Sequence, residues 1–346
     1  MSDPVAVFRQ GTPDVYPGGQ FAASREGRRL VSMATGTLEA GAEAVSTDTI
    51  YDLASLTKPL ATTILLGRAI ERDLCQLSDP LSKFIAAAPD DITLEHALEH
   101  STGYPAHLRF DSMLEGPQPG TWDAYRQIVH SAATTPRERP VGQSAVYSDV
   151  GFILLGAAIE QMYGQPISTA FADLATALFY RDQRGPPASA PTATNAPIAP
   201  TEATTPGRVH DENCRAMGGA AGHAGLWGTA EGVLGIAESL VSAFHGESDQ
   251  LLKPDTVRRL WRPSLVADST RTPGWDRPSG QGSSTGGRWP DHAVGHLGFT
   301  GTSVWIEPSR ALIVVLITNR VCPTRDNTKI RQLRPALHDA AWSAWA

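Results

Sequence analysis

Ser55-Leu56-Thr57-Lys58, running on through Pro59 into Leu60-Ala61-Thr62-Thr63-Ile64-Leu65-Leu66, is the stretch that decides how this chain is read. A serine hydroxyl is a poor nucleophile until a neighbour takes its proton. A lysine three residues later on a helix lies on the same face, about one turn away. A desolvated lysine disfavours its charged form and can act as a base. The spacing therefore offers a nucleophile and a base within one helical turn. A solvated lysine on an amphipathic helix satisfies the same four letters. Lysine is scarce, however: Lys58, Lys83, Lys253 and Lys329 are the only ones, and arginine carries the remaining positive charge. Leu56, Leu60, Ile64, Leu65 and Ala69 recur with a period near 3.6, which predicts a helix with Pro59 in its first turn.

Upstream, Phe21–Ser24 and Leu30–Met33 flank the polar turn Arg25-Glu26-Gly27-Arg28 and read as a strand pair. Downstream, residues 92–100 and 122–133 read as short helices, and Val150 to Met162 as a strongly apolar one. The stretch 180–208, rich in proline, alanine and threonine, has no periodicity and reads as a long surface loop or a partly disordered segment. A glycine-rich, weakly patterned stretch covers 267–290. Thr302–Ile306 and Ala311–Thr318 then form a hairpin around Glu307-Pro308-Ser309-Arg310, with Leu312–Ile317 apolar enough for a central strand. Residues 328–345 read as a closing helix. The fold class is α/β (α+β): an antiparallel sheet flanked by helices, formed from both chain ends, with a mostly helical insertion. The expected division is residues 1–75 with 215–346 as the sheet domain, and 76–214 as the helical one.

Bulk properties narrow the function. The 346 residues are 41% hydrophobic and 19% charged, with a net charge of −7, which describes a globular protein with a substantial core. The basic residues form no stripe, which argues against nucleic-acid binding. No apolar segment reaches membrane-spanning length. The N-terminal Met1-Ser2-Asp3-Pro4-Val5 lacks the pattern of an export signal, so the expected location is cytoplasmic, or periplasmic or secreted if a signal has been trimmed away. Cys75, Cys214 and Cys322 are widely spaced, which argues against a disulfide framework and a structural zinc site.

Two further segments bear on Ser55. Tyr147-Ser148-Asp149 opens the Val150 helix, where a tyrosine beside an ammonium can relay a proton, and where Ser148 or Asp149 could equally be a helix cap. His296-Leu297-Gly298-Phe299-Thr300-Gly301 precedes a strand, and its glycines admit a substrate backbone. A backbone N–H there can share an oxyanion hole with that of Ser55. Taken in order with Leu98-Glu99-His100-Ser101-Thr102-Gly103-Tyr104-Pro105 and Gly222-His223-Ala224-Gly225-Leu226-Trp227, these segments resemble the serine β-lactamase and penicillin-binding-protein superfamily. They look most like its class C β-lactamase branch, which includes esterases and D-amino-acid peptidases. The resemblance runs from about residue 15 to the C-terminus.

The resemblance implies roles. Ser55 forms the acyl-enzyme, Lys58 and Tyr147 handle its proton, and the N–H groups of Ser55 and Phe299 hold the oxyanion. Asp149, His296, Leu297 and Gly298 line the substrate. The substrate is a small ester, amide or peptide, with no metal and no organic cofactor. Oligomeric state is left open.

Two positions depart from the family pattern. Asp149 stands where asparagine is common, and an ionised aspartate only accepts hydrogen bonds. It can instead pair with Lys58 and hold that lysine charged, leaving Tyr147 as the better proton acceptor. His296 stands where lysine is common, and histidine is mostly neutral above pH ~6.5. Weak action on β-lactams and better hydrolysis of uncharged esters are expected.

Other readings remain. A penicillin-binding sensor or non-catalytic binding protein would keep the same fold. His96-Ala97-Leu98-Glu99-His100 matches a zinc-peptidase motif, with His96 and His100 on one helical face. His223 reads as a hydrogen-bonded core histidine, and His210–Asn213 either lines the cleft or caps a turn.

Overall fold

The computed structural model describes all residues except 1, 175, 185–195, 203–205 and 248–250. Among the described residues the strands are Gly18–Arg25 (β1), Arg28–Gly36 (β2), Tyr51–Asp52 (β3), Phe179–Tyr180 (β4), Leu226–Gly228 (β5), Arg271–Thr272 (β6), Trp275–Asp276 (β7), Val294–Leu297 (β8), Ser303–Glu307 (β9) and Leu312–Thr318 (β10). Seven of them form one antiparallel sheet in the order β2-β1-β10-β9-β8-β7-β6. Strands from residues 18–36 thus pair directly with strands from the chain's other end, as the sequence led us to expect. The remaining three form a small antiparallel sheet, β3-β5-β4.

Strand alternation explains why this sheet is buried on both faces. On β10, Ile313, Val315 and Ile317 join the larger apolar core, while Leu312, Val314 and Leu316 point into a second one. The helices Pro4–Gln10 (α1) and Ile330–Trp345 (α10) pack together over the second core, and Ala230–Phe244 (α8 of the chain) covers the opposite face. Between α1 and α8 lie Ile64–Glu71 (α2), Leu94–Leu98 (α3), Trp122–Ala133 (α4), Asp149–Tyr163 (α5), Ile167–Ala172 (α6) and Glu212–Ala216 (α7). Pro254–Leu260 (α9) follows α8. The apolar α5 is buried along most of its length and packs on α2, α3, α4 and α6.

Outside the Ser55 segment, the structure alters or adds to the local readings in three places. The glycine-rich stretch 267–290 contains β6 and β7, which turn at Gly274 and complete the sheet. The helix expected over 92–100 stops at Leu98, and His100 takes a left-handed φ of 57°. Of the loop expected over 180–208, residues 185–195 and 203–205 lie outside the described residues. Within the rest, Ile198 bridges to Ile50.

Candidate active site

Ser55 does not open a regular α-helix. Residues Ala54–Leu56 form a 3-10 turn, Lys58–Thr63 form a π-helical segment, and α2 begins only at Ile64. The wider π turn lets Thr63 Oγ1 donate to the Lys58 carbonyl at 2.9 Å, and such segments concentrate at functional sites. Ala54 takes a left-handed φ of 48°, a strained conformation for a residue with a side chain. Buried hydrogen bonds hold it there. Asp52 Oδ1 accepts the Ala54 N–H at 2.8 Å, its Oδ2 accepts the His210 N–H at 2.7 Å, and Thr57 Oγ1 donates to the Ala54 carbonyl at 2.6 Å.

Lys58 is fully buried, and Nζ donates to Ser55 Oγ at 3.1 Å, to Asp149 Oδ1 at 2.7 Å and to the His223 carbonyl at 3.1 Å. An ammonium has three protons, so these bonds use all of them. Burial alone would lower the Lys58 pKa. The Asp149 carboxylate opposes it and wins, with help from Tyr147, so Lys58 is held charged above its ordinary value. Asp149 is desolvated too, but Lys58 and then His107 hold its carboxyl well below the usual range. The His223 carbonyl reaches Lys58 because α5 comes unusually close to residues 221–223. A Cβ at Gly222 would lie 2.2 Å from the Phe152 carbonyl oxygen, and one at Gly156 2.6 Å from the Gly222 nitrogen.

Tyr147 packs against His100 and His296, with ring centroids 4.7 and 5.9 Å away, and Lys58 Nζ lies 4.9 Å from its own centroid. Burial raises its pKa, while Lys58 and Ser55 act on its hydroxyl in the opposite direction. Ser148 occupies the cap position of α5 but does not cap it. Its hydroxyl donates to the Pro105 carbonyl at 2.7 Å, and its N–H donates to His100 Nδ1 at 2.9 Å.

Ser55, Tyr147, His296, Leu297, Gly298 and Phe299 line one cavity of about 400 Å³. The turn between β8 and β9 is stitched to the nucleophile segment: Thr300 Oγ1 donates to the Asp52 carbonyl and Thr302 Oγ1 to the Leu53 carbonyl. His296 is buried, and burial pushes its pKa down to about 4, so the ring is neutral near pH 7. Its Nδ1 bonds the Leu297 carbonyl at 2.8 Å. Phe299 is half-exposed, stacked on His210 at 5.3 Å with the Arg320 guanidinium 4.5 Å from its ring.

The expected site residues other than Lys58 and Asp149 therefore face the cavity, and those two stand behind Ser55. Asp149 uses both oxygens away from the cavity, one on Lys58 and the other on His107 Nδ1 at 3.2 Å. His107 was missed by sequence reasoning, and no spacing links it to Asp149. The arginines were also missed. Arg271, Arg320, Arg325, Arg331 and Arg334 all line the cavity, so a neutral His296 does not make it uncharged. His223 is buried, with Nε2 bonded to Asp211 Oδ1 at 2.8 Å. Asp211 caps α7 through the Cys214 N–H, one of the two roles expected of that segment, while His210 stacks on Phe299 without itself lining the cavity.

His96 and His100 do not form the zinc pair that their spacing suggested. The helix ends between them. His96 Nδ1 accepts the Thr93 N–H in a capping box, while His100 Nδ1 accepts from Ser148. Among the described residues no group of three or more His, Cys, Asp or Glu side chains is placed to hold a metal ion.

The chain belongs to the beta-lactamase family, whose model matches residues 7–338. It is 28% identical over 307 residues to an Escherichia coli (strain K12) protein named as a D-alanyl-D-alanine carboxypeptidase, covering 80% of this chain and 70% of that one. It is 25% identical over 344 residues to the N-acetylmuramyl-L-alanine amidase of Bacillus subtilis (strain 168), covering 88% and 77%. Among solved structures, EstCE1, a hydrolase with promiscuous acyltransferase activity, superposes with a TM-score of 0.73 at 20% identity, over 98% of this chain and 97% of that one. Among the described residues no helix is long and apolar enough to cross a membrane.

Proposed function

We propose that this chain is a serine hydrolase that forms an acyl-enzyme on Ser55 and acts on a small ester, amide or peptide. The observation that carries the reading is the 3.1 Å contact from the buried Lys58 Nζ to Ser55 Oγ, at the wall of a cavity that Tyr147 also lines. Membership of a family with carboxypeptidase and amidase relatives supports it.

In this reading Lys58 is not the base. Its three protons are donated and Asp149 keeps it charged. Tyr147 is the relay. As Ser55 Oγ bonds to the substrate carbonyl carbon, its proton passes to the Tyr147 oxygen, and the Tyr147 proton passes to the leaving group as its bond to carbon breaks. The phenol is regenerated, so a raised Tyr147 pKa is no obstacle. The Lys58 ammonium stabilises the negative charge that develops on both oxygens. The N–H groups of Ser55 and Phe299 take the carbonyl oxygen, and water then releases the acyl group by the reverse relay.

In a second reading the acyl-enzyme forms by the same relay but its release by water is slow, and the adduct persists. A fluorophosphonate label, followed by p-nitrophenyl esters, nitrocefin and D-alanyl peptides on wild type and Ser55→Ala, tests both. Labelling at Ser55 with turnover that Ser55→Ala abolishes is the expected result. A persistent penicillin adduct would favour the sensor-like reading. No labelling at Ser55 would overturn the acyl-enzyme.

A further inference from the structure

The arginines of the cavity are not equivalent. Arg271 is neutralised by Asp276 across the β6–β7 pair. Arg325 meets Glu202 at 2.6 Å and Glu212 at 2.8 Å. Among the described residues, no carboxylate lies within ion-pair distance of Arg320, Arg331 or Arg334, and all three line the same cavity as Ser55.

Two of the three are buried. Arg320 donates to the carbonyls of Phe299, Arg325 and Asn327, and Arg334 donates to those of Gly298 and Thr302. A carbonyl satisfies a donor but does not neutralise a charge, and an uncompensated buried charge is costly. Arg334 is more than nine-tenths buried, and among the described residues its Nε has no partner. Burial and Arg320 push Arg334 down to about 9. Burial, and then Arg331 and Arg325, lower Arg320. Arg331 stands exposed one turn before Arg334 on α10.

Glu202 and Glu212 both pair with Arg325, and Glu212 also reaches Arg109, which Asp111 holds, so the five guanidinium groups of Arg109, Arg320, Arg325, Arg331 and Arg334 face three carboxylates. Two positive charges are left over. The Ser55 side of the cavity does not cancel them. Lys58 and Asp149 neutralise each other, and His296 is neutral near pH 7.

We propose that the lobe of the cavity bounded by Arg320, Arg331 and Arg334 binds a doubly negative group of the substrate, a phosphate monoester or a dicarboxylate. Guanidinium forks match both geometrically, and the excess of two charges distinguishes this ligand from a single carboxylate. The inference rests on the acyl-enzyme reading of Ser55, because the lobe and the nucleophile share one cavity.

The test measures protection of Ser55 from a neutral fluorophosphonate by inorganic phosphate, glutarate and acetate at matched ionic strength and pH 8. One dianion is expected to protect at a concentration about tenfold or more below that of acetate, since a hydrogen bond to a charged group contributes ~1.5–3 kcal/mol. Stronger protection by phosphate assigns a phosphate ester; stronger protection by glutarate assigns a dicarboxylate. Arg331→Glu, an exposed change, should remove that preference, and Arg320→Gln should weaken it. Equal protection by acetate, or a preference unchanged in Arg331→Glu, overturns the proposal. Wild type that is not labelled at all would instead defeat the acyl-enzyme reading, so the two failures are distinguishable.

Discussion

Lys58 Nζ stands 2.7 Å from Asp149 Oδ1, and this ion pair sets the character of the site. A buried lysine without a counter-ion would shed its proton readily, and the Ser-x-x-Lys spacing would then deliver a base. With Asp149 in place the same lysine is a fixed positive charge beside Ser55. The aspartate is thus the residue that decides which group moves the proton.

Asp149→Asn tests this directly. Removing the carboxylate leaves desolvation of Lys58 unopposed by its main counter-charge, so the lysine pKa should fall toward the assay range. A new alkaline limb is expected in the pH profile of acylation, because the ammonium that stabilises the charge on the Ser55 and Tyr147 oxygens is lost as pH rises through the lowered Lys58 pKa. Breaking a buried pair should also cost about 3–5 kcal/mol of stability, read by denaturant unfolding. An unchanged pH profile with every ester and amide tested would count against the assignment.

His107 carries the second prediction. Its hydrogen bond to Asp149 Oδ2 raises its pKa above the ordinary 6.5, with burial acting the other way. A raised histidine contributes stability that is fully present below its unfolded pKa and is lost as pH rises through its folded one. NMR titration of the ring should show the raised value, and Asp149→Asn should bring it back toward 6.5. If His107 titrates identically in both proteins, the two side chains do not interact in solution.

Much of the fold was legible because its elements are long enough to show a period. The strand pair β1–β2, the hairpin β9–β10, α5 and α10 all carry repeating apolar positions, and the structure has them within a few residues. The strands β3, β4 and β5 have two or three residues each, too few for alternation to register. The π segment at Lys58 was invisible for another reason. It depends on a hydroxyl bond from Thr63 and on contacts with residues 222–223, a long way off in sequence. The cationic lobe had a local trace, Arg331 and Arg334 three apart on one helix. Which arginines stay uncompensated depends on Glu202, more than a hundred residues upstream.

Gly298 supplies the third prediction. A Cβ there would lie 1.9 Å from Thr302 Oγ1 and 2.7 Å from the Leu53 carbonyl oxygen. Neither atom can yield easily, since Thr302 Oγ1 itself bonds that carbonyl and the Gly298 N–H donates to the Thr302 carbonyl at 2.7 Å. In the acyl-enzyme reading, Gly298→Ala should displace the Phe299 N–H that takes the carbonyl oxygen. Loss of one oxyanion donor typically lowers kcat by ~10²–10³-fold. Overpacking should add a stability loss of about 1–3 kcal/mol. A variant destabilised to that extent but with wild-type kcat would show that the Phe299 N–H takes no part.

The buried histidines make the fold acid-sensitive. His296 and His338 are each pushed down to about 4 by burial, and His100 is also well below its ordinary value. In the unfolded chain each takes up a proton near pH 6.5, whereas the folded protein refuses it. The unfolded state therefore binds more protons between pH 6.5 and about 4, and stability must rise with pH across that window. It is fully present above 6.5 and drains away as pH falls. A shift from 6.5 to about 4 corresponds to roughly 3 kcal/mol for one fully buried ring. His338 is the cleanest site for a test, because it contacts the Ser284 carbonyl and Ser303 hydroxyl rather than the nucleophile. His338→Gln should lower Tm at pH 8, by losing packing, yet flatten the fall of Tm between pH 6.5 and 4. A variant whose Tm falls as steeply as wild type over that window would show that His338 is not among the groups responsible.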